Sequence, residues 1–214
     1  MLCAELVEGD FVCDIGTDHG YLPAYLLKSG KCRRAIAADI NSMPLEAAAN
    51  TLKNAGVLDK AQLILSDGLQ SVPLDGVTDI VIAGMGGELI SRIIGSEERV
   101  KNGVTLILQP MTRAAVLRRF LAEKGFDVLC ERGVADGKFV YSVMKCRYSG
   151  IVREITPVEE NIGRLDSSLE EDRLYIEKQL ERMENAAVGI ANSDTKRAEE
   201  IQNTISEIRR AAGL

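Results

Sequence analysis

A glycine-rich segment with two carboxylates is the part of this sequence whose residue types and spacing most directly suggest chemistry. The segment DIGTDHG, residues 14–20, follows the short apolar run Phe11–Ile15. Glycine lets a backbone turn tightly and approach a ligand at the end of a strand. The spacing of Gly16 and Gly20 lacks the middle glycine that faces the pyrophosphate in dinucleotide-binding loops. Asp14, ahead of the loop, suits a cationic amino-acid group better, unless it caps the backbone amides of the loop.

Polar residues also follow the next apolar runs, at the positions where strands would end. Asp39 comes 19 residues after Gly20. An acidic side chain there can bind both hydroxyls of a ribose, in NAD or in S-adenosylmethionine. Asp67, after the third run, could accept a hydrogen bond from an adenine amine. The fourth run opens into a second glycine-rich segment, AGMGG at residues 83–87. In a doubly wound sheet, both glycine segments would face one cleft.

These segments lie within an alternation of short aliphatic runs and helical stretches through residues 10–147. Strands are predicted at Phe11–Ile15, Ala35–Ile40, Gln62–Ser66, Ile80–Ala83, Val104–Leu108, Phe126–Arg132 and Phe139–Arg147. Helices are predicted at Tyr21–Ser29, Pro44–Ala55, Glu88–Ile94 and Ala114–Lys124. This order predicts an α/β fold with a mostly parallel sheet. The last two strands, joined by Gly133–Lys138 with Asp136-Gly137 inside, predict a terminal antiparallel hairpin.

Beyond Gly150 the apolar residues recur in three- and four-residue steps, which predicts helices. The segment Gly189–Asp194 is typical of a helix end followed by a Ser or Asp N-cap. We therefore expect two domains: residues 1–150, and a coiled-coil-like antiparallel helical hairpin over residues 151–214. The acidic runs Glu159-Glu160 and Glu170-Glu171-Asp172 are expected to be solvated helix faces.

The ordered glycine segments and strand-end carboxylates, with a terminal hairpin, resemble the class I S-adenosylmethionine-dependent methyltransferases. Three strings carry a closer resemblance, to the bacterial TrmK family: DIGTDHGYLP from residue 14, IAGMGG from residue 82 and LILQP from residue 106. The resemblance implies a Rossmann-like domain that binds S-adenosylmethionine and methylates N1 of adenine 22 in tRNA. The family usually has a further N-terminal helix with basic residues, and we expect that helix to be short in this chain, which starts Met1-Leu2-Cys3.

The motifs and the resemblance together predict the residues of the site. Those expected to bind the cofactor are Asp14, Gly16, Thr17, His19, Gly20, Asp39, Ile40, Asn41, Asp67, Gly68, Ala83, Gly84, Met85 and Gly86. Those expected to act in catalysis are Asp18 and Gln109. Those expected to bind the substrate are Tyr21, Lys28, Arg33, Arg34 and Arg113.

Methylation at N1 of adenine would place specific demands on this site. N1 has a free lone pair at neutral pH, so it needs no general base before attack. The product is cationic, and an oxygen that accepts from the N6 amine would stabilise it. Asp18 is the candidate acceptor; it could instead hold the amino group of the cofactor or cap a turn. Gln109 either contacts the adenine or is a satisfied loop amide. Tyr21 either stacks on a base swung out of its helix or is a core aromatic.

Two local features refine this interpretation. His19 is expected to stabilise the loop or line the cofactor pocket rather than carry protons. Methyltransferases that act on base amines often have Asn-Pro-Pro-Tyr after the fourth strand. Here residues 83–86 read AGMG and offer backbone groups only. This difference disfavours methylation of the N6 amine and favours attack by a ring nitrogen.

Charge is distributed unevenly along the chain. The net charge is −6, of which residues 151–214 contribute −5. Two basic clusters could track phosphates or be ordinary helix surface: Lys28, Lys31, Arg33 and Arg34, and then Arg113, Arg118, Arg119 and Lys124. If the helical hairpin assists tRNA binding, its basic residues should lie on one side: Arg153, Arg164, Arg173, Lys178 and Arg182.

Composition excludes several classes of protein. No apolar run approaches the roughly 18 residues of a membrane span, so we expect a cytoplasmic protein without membrane association. One histidine, and five cysteines without a C-x-x-C pair, suggest neither a metal centre nor a disulfide framework. No obligate protein partner is implied. A methyltransferase acting on a small molecule or protein, and a non-catalytic cofactor-binding module, remain alternatives; the glycine spacing disfavours an NAD-dependent oxidoreductase.

Overall fold

A seven-stranded, mostly parallel sheet forms the centre of the computed structural model, which describes residues 2–214 of the chain. The strands are β1 (Phe11–Ile15), β2 (Arg34–Asp39), β3 (Ala61–Leu65), β4 (Asp79–Gly86), β5 (Thr105–Thr112), β6 (Phe126–Asp136) and β7 (Phe139–Tyr148). Their order across the sheet is β3-β2-β1-β4-β5-β7-β6. Strands β1 to β5 run parallel, and β7 is antiparallel to both β5 and β6. The predicted α/β fold with a terminal antiparallel hairpin is confirmed.

Helices cover both faces of the sheet, and two apolar clusters fill the space beneath them. The helices are α1 (Leu2–Leu6), α2 (Tyr21–Lys28), α3 (Ser42–Asn54), α4 (Gly87–Gly95), α5 (Ala114–Glu123), α6 (Pro157–Ile162), α7 (Glu170–Ile190) and α8 (Thr195–Ala212). Residues of α1, α2 and α3 pack on one face, and residues of α4 and α5 on the other. Alternate residues of each strand supply the two clusters, because successive side chains of a strand point to opposite faces. Within residues 2–214, no helix is both long and apolar enough to cross a membrane.

The direction of winding reverses between β1 and β4. From β1 the chain proceeds outward to β2 and β3, and β4 then returns to pair with β1 on its other side. At such a reversal the loops after the two central strands diverge and leave a crevice at the carboxyl ends of the strands. Asp14 of β1 is in register with Val81 of β4, so the two glycine-rich segments emerge beside each other.

The terminal hairpin is longer than the sequence pattern predicts. Gly133–Lys138 was the predicted connection, but β6 continues to Asp136, and the turn is Gly137 and Lys138 alone. Gly133 is not a turn residue. A Cβ atom at this position would lie 2.5 Å from the backbone oxygen of Glu171, so the missing side chain lets α7 lie directly on the sheet.

The C-terminal segment contains the predicted pair of long helices together with an additional short one, α6. Helices α6, α7 and α8 enclose their own apolar cluster, which includes Ile176 and Ile208. The predicted N-cap of the last helix is confirmed, since the Asp194 carboxylate accepts from the Arg197 N–H at 3.0 Å. The expectation that Asp172 is solvated is wrong. Its buried carboxylate accepts backbone N–H groups from Gly133 at 2.6 Å and Asp166 at 2.9 Å.

A buried arginine joins these helices to the sheet. Arg118 of α5 donates to the Glu131 carboxylate at 2.7 Å and to the Tyr175 hydroxyl of α7 at 3.2 Å. It also donates to the Glu160 and Asn161 backbone oxygens at the end of α6, both at 2.9 Å. Both hypotheses for Arg118, a contact with phosphate and an ordinary place on the helix surface, are therefore wrong, because this side chain is 3% exposed and all of its partners are internal.

We expect Arg118→Gln to lower the free energy of unfolding by about 3–5 kcal/mol, because it leaves the Glu131 carboxylate buried without a counter-charge. Chemical denaturation followed by circular dichroism measures this loss. The matched control is Arg119→Gln, which removes the neighbouring arginine, a half-exposed side chain paired with Glu160. That change should cost about 1 kcal/mol or less. Equal losses in the two variants would contradict the role of the buried pair.

Candidate active site

The loop after β1 is fixed by backbone hydrogen bonds and by two glycines. The N–H groups of Gly16 and Thr17 donate to the Ala38 backbone oxygen of β2 at 2.8 and 3.1 Å. Gly16 and Gly20 have φ angles of 76° and 66°, which side-chain-bearing residues rarely adopt. A Cβ atom on Gly16 would lie 2.2 Å from the Met85 Cε atom, so the loop and the end of β4 are in direct contact. The structure therefore brings the two glycine segments together as predicted.

A cleft of about 330 Å³ opens beside this loop, and we call it the loop cleft. Its walls are the loop itself, the start of α2 and helix α1. It is lined by Cys3, Ala4, Asp14, Gly16, Thr17, Asp18, His19, Gly20, Tyr21, Leu22, Tyr25 and Ala83. Tyr21 is 69% exposed and its ring centroid lies 5.3 Å from that of His19. The hypothesis that Tyr21 is a core aromatic is thereby excluded.

Asp14 is a buried carboxylate that has no cationic partner among the described residues. It is 8% exposed, and burial raises its pKa to about 6. The neighbouring Thr17 hydroxyl opposes part of this rise in the pKa. The Thr17 Oγ1 atom is itself buried, and no hydrogen-bond partner of good geometry lies within the described residues. The buried Thr17 hydroxyl and the buried Asp14 carboxylate face the same cleft, and no cation of the described residues balances the carboxylate, which indicates a site for a ligand with a positive charge.

The ends of β2 and β3 present the other predicted cofactor contacts. The Asp39 carboxylate accepts from the Asn41 N–H at 2.8 Å, which fixes the turn into α3. Ile40, beside it, is 59% exposed, as expected for an apolar side chain that covers a ligand. Asp67 lies at the end of β3, in a turn held by the hydrogen bond from the Ser66 hydroxyl to the Gly68 backbone oxygen at 2.9 Å.

The end of β4 is a bulged strand rather than a free glycine loop. Its pairing with β5 shifts register on both sides of Met85. Gly84, with a φ of 78°, is left out of the pairing, and its N–H donates to the Gln109 Oε1 atom at 2.8 Å. Only the oxygen of the amide can accept this bond, so the orientation of Gln109 is fixed by chemistry. Gln109 is thus a link between two strand ends, and its Nε2 group donates to the Met111 sulfur at 3.8 Å.

Asp18 has its carboxylate available. Its side chain is 82% exposed, and its nearest charged neighbour is the His19 ring, with 3.4 Å between Oδ2 and Nε2. Of the two residues predicted to act in catalysis, only Asp18 therefore presents oxygens that no backbone group already engages.

The predicted basic residues fall in two places. Lys28 ends α2, and Arg33 and Arg34 precede or begin β2, so all three lie at the amino-terminal edge of the sheet, away from the loop cleft. Arg33 pairs with Asp10, and the Arg34 guanidinium lies 4.2 Å from the centroid of the Phe11 ring. The structure does not bring these three to the predicted site, and a contact with RNA there stays a prediction.

Arg113, in contrast, lies at the carboxyl edge in a strained conformation. Its φ of 57° makes it the one non-glycine residue within 2–214 with a positive φ. This conformation costs an L-amino acid roughly 1–2 kcal/mol. Its backbone oxygen would lie 2.3 Å from a Cβ atom on Gly87, so the start of α4 packs against it. Such strain concentrates at functional sites.

The sequence analysis missed several residues of the site. Tyr25 lies one helical turn after Tyr21 and lines the same cleft. The four-residue spacing of two tyrosines in a chain with 4% aromatics is a signal that could have identified it. Met43, which is 76% exposed near Ile40, and Cys3 and Ala4 of α1 have no such signal, because only the folded chain brings α1 to the loop.

The pKa of Asp14 has a consequence for stability. A folded-state pKa of about 6, above the ordinary value of about 3.9, means that the folded protein holds this proton more tightly than the unfolded chain. The folded state is therefore favoured at low pH and loses that advantage as the pH rises toward 6. We compare the free energy of unfolding of Asp14→Asn with that of wild type, both without ligand. We expect the difference to shift by about 2 kcal/mol in favour of the variant between pH 4.5 and pH 7.5.

Denaturation at the two pH values measures this gain. Asp67→Asn is the control for the removal of an exposed carboxylate from the same edge of the sheet. If Asp14→Asn and wild type keep the same difference at both pH values, the carboxyl is not held in its neutral form.

Comparisons with known proteins agree with this site. The model of a family described as a methyltransferase domain matches residues 1–144. The tRNA (adenine(22)-N(1))-methyltransferase of Bacillus subtilis strain 168 is 31% identical over 138 residues, which cover 64% of this chain and 58% of that protein. A relative from Mycoplasma genitalium is 32% identical, and 60% of its length is covered. The chain thus spans about three fifths of the curated relatives it matches.

Solved structures match over nearly the whole chain. Sp1610 of Streptococcus pneumoniae has a TM-score of 0.87 at 28% identity, with 99% of this chain and 96% of that chain covered. The same protein was also solved in complex with S-adenosyl-L-methionine. TrmK of M. capricolum, solved with S-adenosyl-homocysteine, has a TM-score of 0.81 at 25% identity, covering 99% and 95%. From its fold, its glycine segments and the match over residues 1–144, this chain belongs to the methyltransferase domain family.

Proposed function

We propose that this protein transfers a methyl group from S-adenosylmethionine to N1 of adenine 22 in tRNA, in the cytoplasm. The observation that carries the proposal is the loop cleft, where the buried carboxylate of Asp14 and the exposed carboxylate of Asp18 share a wall with exposed aromatic rings. The printed name of the Bacillus subtilis relative supports the choice of substrate.

The chemistry of the donor set fits S-adenosylmethionine. The buried carboxylate of Asp14, with the buried Thr17 hydroxyl beside it, suits the ammonium group of its amino-acid portion. Asp39 suits the ribose hydroxyls, and the exposed side chains of Ile40 and Met43 suit the faces of the adenine ring. When bound, the cofactor supplies a methyl group made reactive by the positive charge on sulfur.

The protein itself must hold the acceptor base and stabilise its charge. Adenine N1 needs no deprotonation, so alignment of N1 with the methyl group can supply much of the rate, on the order of 7–11 kcal/mol for well-oriented reactants. Asp18 accepts a hydrogen bond from the N6 amine, and this bond strengthens as the ring becomes cationic. The Gln109 oxygen, already bonded to the Gly84 N–H, does not share this role.

The base reaches this cleft only if it leaves its stack, because N1 lies on the Watson–Crick edge. The rings of His19, Tyr21 and Tyr25 form a wall on which a flipped base can stack. Stacking on an aromatic ring is worth about 1–3 kcal/mol per base, and it recovers part of the cost of unstacking.

Incubation of the protein with labelled S-adenosylmethionine and bulk tRNA, followed by mapping of the modified base, tests the proposal. We expect the label at N1 of adenine 22, and no transfer to a transcript with guanine at that position. Label on small molecules or proteins instead, with none on tRNA, would favour the alternative of a different substrate on the same fold.

Asp39→Ala should weaken S-adenosylmethionine binding about 10- to 150-fold, because it removes hydrogen bonds from a charged acceptor to the ribose. Titration calorimetry measures the change. Since Asp39 also accepts from the Asn41 N–H, Asp39→Asn serves as the second variant, keeping an acceptor for the turn while losing the charge. Unchanged affinity in both variants would remove Asp39 from the cofactor site.

Asp18→Asn should lower kcat about 10²- to 10³-fold, by analogy with the loss of one oxyanion-hole donor, since the lost interaction strengthens only in the transition state. Single-turnover methylation with saturating cofactor and tRNA measures the chemical step. Cofactor affinity, measured in parallel, separates the two hypotheses for this residue. A wild-type rate would exclude the catalytic role, and a selective loss of cofactor binding would assign Asp18 to the cofactor instead.

A further inference from the structure

A basic cleft lies next to the loop cleft, between the end of β5 and helix α7. Its volume is about 300 Å³, and its walls include Arg113 at the end of β5, Tyr141 of β7, and Gln179 and Arg182 of α7. Two arginines and no carboxylate line it, although the whole chain has a net charge of −6. Two guanidinium groups that line one cleft, with no carboxylate in its wall, are a feature that binds anions.

Arg113 is held at this cleft by its backbone. Its left-handed conformation favours glycine or asparagine, yet the position carries a long cationic side chain that is 69% exposed. The nearest carboxylate is that of Glu88, 3.9 Å from Nε, which is a loose contact at the surface. The charge of Arg113 is therefore available to a ligand.

Arg182 is the counterpart of Arg113 on α7. The other basic residues predicted to line one side of the C-terminal segment are occupied locally. Arg153 donates to Glu159, Lys178 to Glu181, Arg173 to the Ser167 backbone oxygen and Arg164 to the Val128 backbone oxygen. Arg182 donates only to the neutral amide of Gln179, at 3.4 Å, among the contacts within residues 2–214. The five do not form one basic face, and Arg182 alone lies in the basic cleft.

The basic cleft is continuous with the proposed site of methyl transfer. A middle cleft of about 410 Å³ shares Cys3 with the loop cleft, and Met111 and Tyr141 with the basic cleft. Gln109 and Asp136 also line it. The middle cleft therefore adjoins both the loop cleft, which Asp18 lines, and the basic cleft, which Arg182 lines.

We propose that Arg113 and Arg182 together bind a backbone phosphate of the tRNA, near the methylated adenine, so that the sheet and α7 hold the same RNA segment. The inference rests on the proposed function and deepens it. A forked guanidinium binds phosphate oxygens through two parallel hydrogen bonds, which positions the backbone but reads no sequence.

Another groove of about 820 Å³, between α6 and α8, is a weaker candidate for this contact. Arg113, Arg119 and Arg197 line it together with Glu160, Glu200 and Glu207, and Arg119 pairs with Glu160 and Arg197 with Glu200. These carboxylates balance the cationic groups of the groove, so the basic cleft, which no carboxylate lines, is the surface that the charges favour.

The test measures the dissociation constant of an unmodified tRNA transcript by filter binding over a range of salt concentrations. Arg113→Gln and Arg182→Gln should each weaken binding about 10-fold at low salt and reduce the slope of log K against log salt by about 1. Arg182→Lys, which keeps the charge but loses the fork, should keep most of the slope. S-adenosylmethionine affinity should remain at the wild-type value for Arg182→Gln, because Arg182 does not line the loop cleft.

Arg210→Gln is the matched control, because it removes an exposed arginine from α8 that lines none of the three joined clefts. If Arg113→Gln and Arg182→Gln change the affinity and the slope no more than Arg210→Gln does, the phosphate site is wrong. Thermal melting verifies that each variant is folded. Failure of the proposed function would be distinct: wild type would leave adenine 22 unmethylated, while the binding differences between these variants could still be measured.

Discussion

The burial of one carboxylate, that of Asp14, is the constraint on which the candidate site depends. Its position at the end of β1, in register with β2 and β4, removes it from water, and no cation within residues 2–214 compensates it. A group of this kind is stable only if it is neutral or if a ligand supplies the opposite charge. In the loop that follows, a side chain on Gly16 would collide with Met85, so glycine keeps the loop close to the end of β4. The sheet thus keeps a place for a cation at the reversal point.

The attachment of the C-terminal helices to the sheet depends on two buried charged residues. Arg118 and Asp172 are both buried, and each bonds to groups from two parts of the chain. Buried polar groups of this kind hold their partners in one arrangement, because any other arrangement leaves charges or donors unsatisfied. Helix α7 is therefore fixed relative to β6 and β7, and Arg182 on α7 stays at a defined place beside the end of β5.

The part of the fold that could be predicted from sequence is the part encoded by local patterns. The run Phe11–Ile15, the loop after it and Asp39 at the end of β2 follow from apolar runs and from glycine chemistry over a few residues. The same patterns did not identify Gly133 as a contact for α7. Glycine is needed there because the backbone of Glu171, 38 positions later, lies against it. Nor did they separate Arg118 from Arg119, since the two differ only in which face of α5 meets the sheet.

The candidate site also has one part that could be predicted from local patterns and one part that could not. The placement of the carboxylates Asp14, Asp39 and Asp67 at one edge could be predicted because strand ends in a parallel sheet meet there. The orientation of Gln109, the exposure of Tyr25 and the pairing of α1 with the loop come from contacts between distant segments. Whether a carboxylate pairs with a basic residue also depends on contacts between distant segments. For this reason Arg113 and Arg33 could not be distinguished from the sequence.

The junction at Arg118 also determines how the molecule can come apart. If the helical segment separated from the sheet, the Arg118 guanidinium would lose three hydrogen bonds together. Their acceptors are the backbone oxygens of Glu160 and Asn161 and the Tyr175 hydroxyl. Loss of the α7 contact would also free the Gly133 N–H at the middle of β6. The outer hairpin of the sheet and the three last helices therefore form a single cooperative unit. Proteolysis between them should release no stable fragment, and a recombination boundary for chimeric enzymes should not be placed between β7 and α6.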